Sequence, residues 1–312
     1  MDRKLDAVSR IAQQHYDSHN SYNFYKQVWG GDHIHIGLYS KLKGAEIELK
    51  GVERIKRASA LSTETLLSHC FSKERQYVQD GGMIEMMDLG SGYGGTARMA
   101  ALAHGCHVTC INVSSKENAT NAAMTAKAGL SNLVHIPGEK TFFQTGEPDA
   151  SFEVVISQDA LLHAGTERHL AVVEAARVLK PGGLLCFADI MQAETAKSEE
   201  LQEVYDRLHL DNLATPQFYL ETAEKNGLEL ESYTPYTSDL VQHYSAVRDV
   251  LLAERAGLEG VQQSYVDNMA RGLNAWIEAG RRNNLRWGCF VFKKTAQHRE
   301  GHTATETSNR QH

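Results

Sequence analysis

From residue 84 onward, short apolar runs alternate with longer stretches in which apolar side chains recur at helical spacing. Strands are expected at the apolar runs and helices at the stretches between them. The runs predict strands at 86–89, 107–111, 133–136, 152–157 and 184–189, and the stretches predict helices at 94–104, 115–128 and 168–179. Strands that alternate with helices in this way indicate a parallel, doubly wound α/β sheet.

Beyond residue 190, polar helical segments at 194–214 and 240–282 interrupt this alternation. Between and after them, the pattern predicts a helix at 216–226 and two more strands, at 228–233 and 285–294. The sheet therefore has seven predicted strands, and the interrupting segments are insertions into it.

The pattern divides the chain into three parts. Residues 1–80 are predicted to form a helical lid, because helical and loop-like stretches there precede the first strand. A domain at 81–295 follows, with helical cap insertions near 193–214 and 237–284. The polar stretch 296–312 is predicted to be a disordered tail.

Composition narrows the class of protein. The chain has 312 residues, of which 42 % are hydrophobic, enough for one large α/β domain with a full core. A formal net charge of −7 argues against nucleic acid as a partner. No run of 18 apolar residues predicts a membrane span, and the amphipathic start does not resemble a signal peptide. Five cysteines without a C-x-x-C pattern fit reduced thiols, so we expect a cytoplasmic protein that acts without a membrane.

The turn after the first predicted strand contains candidate ligand-binding residues. Residues 85–95 read E-M-M-D-L-G-S-G-Y-G-G, and the glycines let backbone approach a ligand closely. Dinucleotide, phosphate and S-adenosylmethionine sites all use such turns. Here Asp88 ends the strand, where its carboxylate would repel a pyrophosphate but suits the ammonium group of S-adenosylmethionine. Asn112 ends the second strand, where an amide can hydrogen-bond a ribose diol.

At this point the chain resembles the class I S-adenosylmethionine-dependent methyltransferases, which have a Rossmann-like sheet. More narrowly, it is similar to the sarcosine/dimethylglycine N-methyltransferases of glycine betaine synthesis, over roughly residues 10–295. The motifs that carry the resemblance are the stretch 16–39, D-L-G-S-G-Y-G-G (88–95), I-N-V-S (111–114), S-Q-D-A-L-L-H (157–163), A-R-V-L-K-P-G-G (176–183), H-Y-S (243–245) and R-W-G (286–288).

The resemblance implies which residues hold S-adenosylmethionine. They would surround the methionine, ribose and adenine parts of the ligand, with Tyr25 and His35 closing over it. The implied set is Tyr25, His35, Asp88, Gly90, Ser91, Gly92, Asn112, Val113, Glu139 and Gln158. Glu139 is expected near the adenine amino group, although G-E-K there departs from the usual pattern. Gln158 and Asp159 follow the fourth predicted strand, at the rim expected to face the methyl group, and a buried structural role is the alternative for Asp159.

The resemblance also implies the residues that handle the amine. Tyr16 and His163 match a lid and catalytic pair of the related phosphoethanolamine enzymes. The substrate site would comprise Tyr25, Trp29 and Tyr244, whose rings can stabilise a quaternary ammonium, and Arg207, whose guanidinium suits a carboxylate. Simple pairing of Arg207 with Asp206 or Glu203 at the surface is the alternative.

The predicted function is N-methylation of sarcosine or dimethylglycine, a small amine with a carboxylate, by a monomer or homodimer. A phosphoethanolamine-type methyltransferase and a non-catalytic S-adenosylmethionine-binding protein are the alternatives. His33 and His35 share one face if extended, but no third or fourth ligand is evident, so we predict no metal.

Overall fold

The computed structural model describes residues 3–72 and 82–295; the predicted tail at 296–312 lies outside these residues. Within them, seven strands form one sheet with the order β3-β2-β1-β4-β5-β7-β6. The strands are β1 (Glu85–Leu89), β2 (His107–Ile111), β3 (Val134–His135), β4 (Phe152–Gln158), β5 (Leu179–Gln192), β6 (Leu228–Pro235) and β7 (Leu285–Lys294). All seven lie where the apolar runs predict them, although β3 is shorter than expected.

The last strand corrects the expectation of a parallel sheet. β1 to β5 pair in parallel, whereas β7 runs antiparallel to both of its neighbours, β5 and β6. The reason lies in the segment before β7. Two helices leave the carboxyl end of β6 and return the chain to that same edge of the sheet, where Leu285 pairs with Gln192 at the end of β5. A strand that starts at this edge must run back down, and an apolar pattern alone carries no direction.

Helices cover the sheet and extend beyond its carboxyl edge. They are α1 (Arg3–Asp17), α2 (His19–Phe24), α3 (Gly51–Cys70), α4 (Gly95–His104), α5 (Ser115–Lys127), α6 (Arg168–Val178), α7 (Gln202–Leu208), α8 (Pro216–Lys225), α9 (Thr237–Ala253) and α10 (Gln263–Arg281). A π-helical turn, Tyr25–Trp29, continues α2. Within residues 3–72 and 82–295, no helix combines the length and the apolar composition that a bilayer crossing requires.

The N-terminal segment and the helices inserted before β7 share one core. Phe24 and Trp29 belong to the same buried cluster as Tyr244 on α9, Trp276 on α10 and Trp287 on β7. These aromatic side chains are all at most 3 % exposed. Segments that are distant in sequence therefore enclose a space at the carboxyl edge of the sheet, the edge where open α/β sheets bind their ligands.

Candidate active site

The turn after β1 is the floor of the site. Gly90 and Gly92 adopt φ values of 82° and 50°, and a Cβ atom on Gly90 would collide with Ala160. The backbone amides of Gly90 and Ser91 donate to the carbonyl of Ile111 at 2.8 and 3.2 Å, which ties the turn to the end of β2. The conformation and the close approach both require glycine at position 90.

Two polar atoms on this turn are ready for a ligand. Asp88 is 3 % exposed, and burial raises the pKa of its carboxyl to about 7. In the described part of the chain, Asp88 Oδ2 and Ser91 Oγ are buried without a hydrogen-bond partner. Leaving such groups unpaired costs free energy, so an orphaned pair at a ligand-binding edge indicates a ligand that supplies donors.

Asn112 lies at the end of β2, as predicted, but a nearby acid accompanies it. Its Nδ2 donates to Glu117 Oε2 at 2.9 Å, and the other carboxylate oxygen of Glu117 is buried with no partner among the described residues. Burial raises the pKa of Glu117 to about 7. The neighbouring Val113 is partly buried. An amide and a carboxylate together are a stronger diol acceptor than the amide alone, so Glu117 joins the candidate cofactor residues.

Sequence reasoning missed Glu117 although a signal was present. Ser114 and Glu117 have the S-x-x-E spacing of a helix-capping box, and Ser114 Oγ accepts from the Glu117 amide at 3.0 Å. In a complete capping box the glutamate side chain would return to the cap, but here it bonds Asn112 instead.

Glu139 and Gln158 are placed near the site, with their side chains engaged by protein partners. Glu139 forms a β-bridge with Asn112, but its exposed carboxylate accepts from Gln13 Nε2 at 3.0 Å. Gln158 Oε1 accepts from Thr96 Oγ1 at 2.7 Å and from Thr63 Oγ1 at 3.1 Å. The side chain of Gln158 therefore connects β4 to α3 and α4.

The segment before α3 crosses directly over the glycine turn. A Cβ atom on Gly92 would lie 3.2 Å from Ile34 Cδ1. His35 is buried, its Nε2 lies 3.0 Å from Thr63 Oγ1 and 3.3 Å from His33 Nδ1, and its carbonyl accepts from Trp29 Nε1 at 3.2 Å. This segment is irregular rather than the extended strand that His33 and His35 suggested. Among the described residues, no cluster of His, Cys, Asp and Glu side chains could hold a metal ion.

Asp159 anchors the same segment. Its carboxylate accepts from the Ile36 amide at 2.7 Å and from Trp287 Nε1 at 2.8 Å. Its φ of 51° is unusual for a residue other than glycine. Both oxygens are engaged, which agrees with the structural alternative considered for Asp159.

Tyr16 and His163, which lie 147 residues apart in sequence, meet at the site. Tyr16 Oη lies 2.8 Å from His163 Nε2, and the two rings are perpendicular at 5.3 Å. Burial raises the pKa of Tyr16 well above its usual value. Burial and then the charge of Arg207 lower the pKa of His163 to about 4. Both groups are therefore neutral near pH 7, and the Tyr16 hydroxyl donates to His163 Nε2 in the tautomer that carries the imidazole proton on Nδ1.

The end of α1 is also fastened beside the candidate cofactor site. Asp17 Oδ1 accepts from Ser114 Oγ at 2.5 Å and from the Lys116 amide at 3.3 Å. Lys116 Nζ donates to the Asp17 carbonyl at 2.9 Å. The residue that follows Tyr16 is thus fixed at the start of α5, two positions beyond Asn112.

An aromatic chamber adjoins the Tyr16–His163 pair. The ring of Tyr25 lies 5.7 Å from that of Tyr16 and 5.2 Å from that of Trp29, and Trp29 lies 6.2 Å from Tyr244. The guanidinium of Arg207 lies 5.0 Å from the centre of the Tyr244 ring. The predicted substrate residues Tyr25, Trp29, Tyr244 and Arg207 therefore form a continuous series of contacts.

Arg207 has no carboxylate partner in the described residues. Its Nε and Nη1 atoms are buried without a hydrogen bond, and its guanidinium lies over Trp276 at 5.3 Å as well as over Tyr244. Asp206, one surface partner considered above, accepts instead from Gln202 Nε2 at 2.8 Å. A partly buried guanidinium with two unpaired donors is a binding group for an anion.

Comparison with known proteins identifies the family. Residues 87–187 match the family model described as a methyltransferase domain. Over 290 residues, the chain is 35 % identical to the sarcosine/dimethylglycine N-methyltransferase of Halorhodospira halochloris, covering 93 % of this chain and 98 % of that protein. The chain belongs to the sarcosine/dimethylglycine N-methyltransferase family. The predicted family is thereby confirmed.

Solved structures agree with membership of this N-methyltransferase family. A crystal structure assigned as a sarcosine dimethylglycine methyltransferase of Galdieria sulphuraria has a TM-score of 0.76 and 31 % identity, covering 87 % of this chain and 97 % of that one. Geranyl diphosphate methyltransferase in complex with S-adenosylmethionine matches with a TM-score of 0.66 and 17 % identity, covering 84 % and 99 %, respectively. The second likeness concerns the fold alone, and the predicted class I methyltransferase fold is confirmed.

A cavity borders the arginine of this methyltransferase site. It has a volume of about 1140 Å³ and is lined by α7 and α10, with Arg207, His15 and Tyr265 among its residues. Five carboxylates line it as well: Glu199, Glu200, Glu203, Asp206 and Glu278. These carboxylates outnumber the three arginines of the lining, Arg207, Arg271 and Arg282, so the cavity favours the approach of a cationic group over that of a dianion.

The orphaned acceptors fit S-adenosylmethionine. The carboxylate of Asp88 suits an ammonium group, and Asn112 with Glu117 suits ribose hydroxyls. Asp88 must lose its proton to attract that ammonium. Affinity should therefore increase as the pH rises through the pKa of the Asp88 carboxyl, about 7.

We predict about a tenfold decrease in the Kd of S-adenosylmethionine from about pH 6 to about pH 7.5, a range in which an α-amino group stays largely charged. Isothermal titration calorimetry measures this Kd. The Asp88→Asn variant should bind S-adenosylmethionine weakly over this whole pH range. Its Kd should depend less on pH than that of the wild-type protein, and the pH dependence that remains should come from Glu117. A wild-type Kd that is independent of pH would contradict the role of Asp88.

Proposed function

We propose that this protein transfers a methyl group from S-adenosylmethionine to the amine nitrogen of sarcosine or dimethylglycine, towards glycine betaine. The observation that supports the proposal most is Arg207: a partly buried guanidinium with two buried, unpaired donor nitrogens, over the aromatic ring of Tyr244. Membership of the sarcosine/dimethylglycine N-methyltransferase family supports the same substrate class.

Residues at the carboxyl ends of β1 and β2 would hold S-adenosylmethionine. These are Asp88, Gly90, Ser91, Gly92, Asn112 and Val113, together with Glu117. When bound, S-adenosylmethionine supplies a methyl group that its sulfonium has already activated. The protein therefore needs no strong nucleophile of its own; its tasks are to align a proton-free amine and to exclude water.

Arg207 binds the carboxylate end of the substrate. Nε and Nη1 can each donate to one carboxylate oxygen, because the fork of a guanidinium matches the geometry of a carboxylate. The rings of Tyr244 and Trp276 restrict where the guanidinium can lie. The amine is then directed towards the chamber that Tyr25 and Trp29 border.

The Tyr16–His163 pair removes the proton from the amine. An ammonium N–H can donate to the Tyr16 oxygen while the Tyr16 hydroxyl passes its own proton to His163 Nε2, which lies 2.8 Å away and is free to accept when the imidazole proton is on Nδ1. After burial, the charge of Arg207 contributes to the low pKa of His163. A carboxylate bound to Arg207 offsets that charge, so binding of the substrate makes His163 a better base.

Aromatic faces stabilise the charge that methylation creates. The product nitrogen carries a permanent positive charge, and each ring of Tyr25, Trp29 or Tyr244 that faces it contributes about 0.5–2 kcal/mol. The N-terminal segment that carries Tyr16, Tyr25 and Trp29 would act as the lid of the site. All five cysteines are buried in the interior, and the cytoplasmic location stays a prediction from the sequence.

A comparison of amines tests this proposal. Release of S-adenosylhomocysteine should be fast with dimethylglycine or sarcosine and slow with phosphoethanolamine and with N,N-dimethylethanolamine, which lacks the carboxylate. Faster turnover of phosphoethanolamine would favour a phosphobase methyltransferase instead. Binding of S-adenosylmethionine without turnover of any amine would favour a non-catalytic protein.

A further inference from the structure

His243 on α9 is wholly buried and has no part in the site as described so far. Its Nδ1 accepts a hydrogen bond from the Gly37 amide at 3.2 Å, and the hydroxyl of Tyr39 lies 3.2 Å from the same atom. A backbone amide can only donate, so Nδ1 carries no proton. The proton of the neutral imidazole is therefore on Nε2.

That Nε2–H group has nothing to bond in the described residues. An unpaired buried donor is rare in native proteins, because leaving it without an acceptor is unfavourable. Burial, the neighbouring His35 and the charge of Arg207 all lower the pKa of His243, so the ring stays neutral. His243 is therefore suited to donate one fixed hydrogen bond rather than to exchange protons.

The surroundings of His243 are those of the proposed substrate chamber. Its ring lies 4.7 Å from that of Trp29 and 5.8 Å from that of Tyr244. Tyr244 in turn lies beneath the guanidinium of Arg207. Two sets of unpaired donors, on His243 and on Arg207, thus adjoin the ring of Tyr244 from different sides of the cluster and require an acceptor.

We propose that His243 Nε2–H donates a hydrogen bond to the substrate carboxylate and, with Arg207, makes the site specific for an amino acid. This inference rests on the proposed function, because it assumes a substrate with both an amine and a carboxylate. Arg207 would provide the positive charge that binds the substrate carboxylate. His243 would donate a hydrogen bond from a different direction, and the two interactions together would fix the orientation of the carboxylate plane. An amine without a carboxylate would leave both sets of donors unpaired, which the site disfavours.

The test compares substitutions at position 243 by their effects on KM and on binding. His243→Ala should raise the KM for dimethylglycine by about 10- to 100-fold, the range for a lost hydrogen bond to a charged group. The Kd of S-adenosylhomocysteine, measured by calorimetry, should change by less than about threefold, as should kcat. His243→Gln, whose amide nitrogen reaches roughly as far as Nε2, should recover most of the loss, whereas the shorter His243→Asn should not.

Tyr39→Phe is the matched control, because it disturbs the same imidazole only on its Nδ1 side. It should keep the wild-type KM, and thermal unfolding should show that each variant folds. A KM that is unchanged in His243→Ala, or equally raised in Tyr39→Phe, would overturn the inference. So would a selective loss of affinity for S-adenosylhomocysteine, because the donor would then serve the cofactor.

Calorimetric titration of dimethylglycine into the S-adenosylhomocysteine complex of the wild-type protein distinguishes the two proposals. Suppose that the wild-type protein does not bind dimethylglycine in this complex and does not methylate it when S-adenosylmethionine is supplied. The proposed function then fails, and this inference fails with it. If the wild-type protein does both and His243→Ala binds equally well, only the role of His243 is refuted.

Discussion

Replacing His163 by alanine is expected to lower kcat for dimethylglycine by about 10²–10⁴-fold, the usual contribution of a positioned general base. The reason is that Tyr16, with a pKa raised by burial, cannot take a proton from the amine unless His163 accepts the hydroxyl proton in turn. Affinity for S-adenosylmethionine should change little, since His163 has no part in the turn after β1. Steady-state kinetics with calorimetry separates the two effects.

Two further variants define the role of His163. Tyr16→Phe keeps the ring contacts with Tyr25 and His163 but removes the hydroxyl, so a loss of kcat similar to that of His163→Ala would assign the effect to proton transfer rather than to packing. His169→Ala, six residues further along the chain, is the control and should retain wild-type kcat. A fully active Tyr16→Phe variant would refute the relay.

Arg207→Ala is expected to raise the KM for dimethylglycine by about 100-fold or more. Truncating one partner of a buried, hydrogen-bonded charge pair costs about 2–5 kcal/mol, and each 1.4 kcal/mol corresponds to a factor of ten. The substrate carboxylate would otherwise lie among Tyr244 and Trp276 without a counter-charge. Initial rates at varied dimethylglycine and saturating S-adenosylmethionine measure the change.

The chain offers good controls for Arg207. Arg207→Lys keeps the charge but loses the fork, so its KM should lie between those of the wild-type protein and Arg207→Ala. Arg271 lines the same cavity from α10 and is exposed, so Arg271→Ala should leave the KM within about twofold. Equal effects of Arg207→Ala and Arg271→Ala would mean that only the general charge of the cavity matters.

Much of the fold could be predicted because each strand is a local signal. The centre of the buried β4, residues 154–156, is an apolar run, and stretches of helical periodicity separate the strands. The direction of β7 could not be predicted, since it depends on where α9 and α10 return the chain. Likewise, nothing local shows that Trp276 on α10 and Phe24 in the N-terminal segment share one core.

The candidate site was harder to predict from the sequence than the fold was. Tyr16 and His163 were paired by family resemblance, because no periodicity connects residues so far apart in sequence. Glu117 and His243 were missed for a physical reason: their importance lies in an unpaired atom, and pairing is a property of the folded chain. Gln158 is the opposite case. Its position near the site was predicted, but its amide oxygen already accepts hydrogen bonds from two protein hydroxyl groups and is less available to a ligand.

The most direct test of the account is mass spectrometry of the amine after the wild-type protein has been incubated with dimethylglycine and S-adenosylmethionine carrying a deuterated methyl group. The account predicts glycine betaine that contains the intact deuterated methyl group, formed together with an equal amount of S-adenosylhomocysteine. Recovery of unlabelled dimethylglycine from a folded protein that binds S-adenosylmethionine would contradict it.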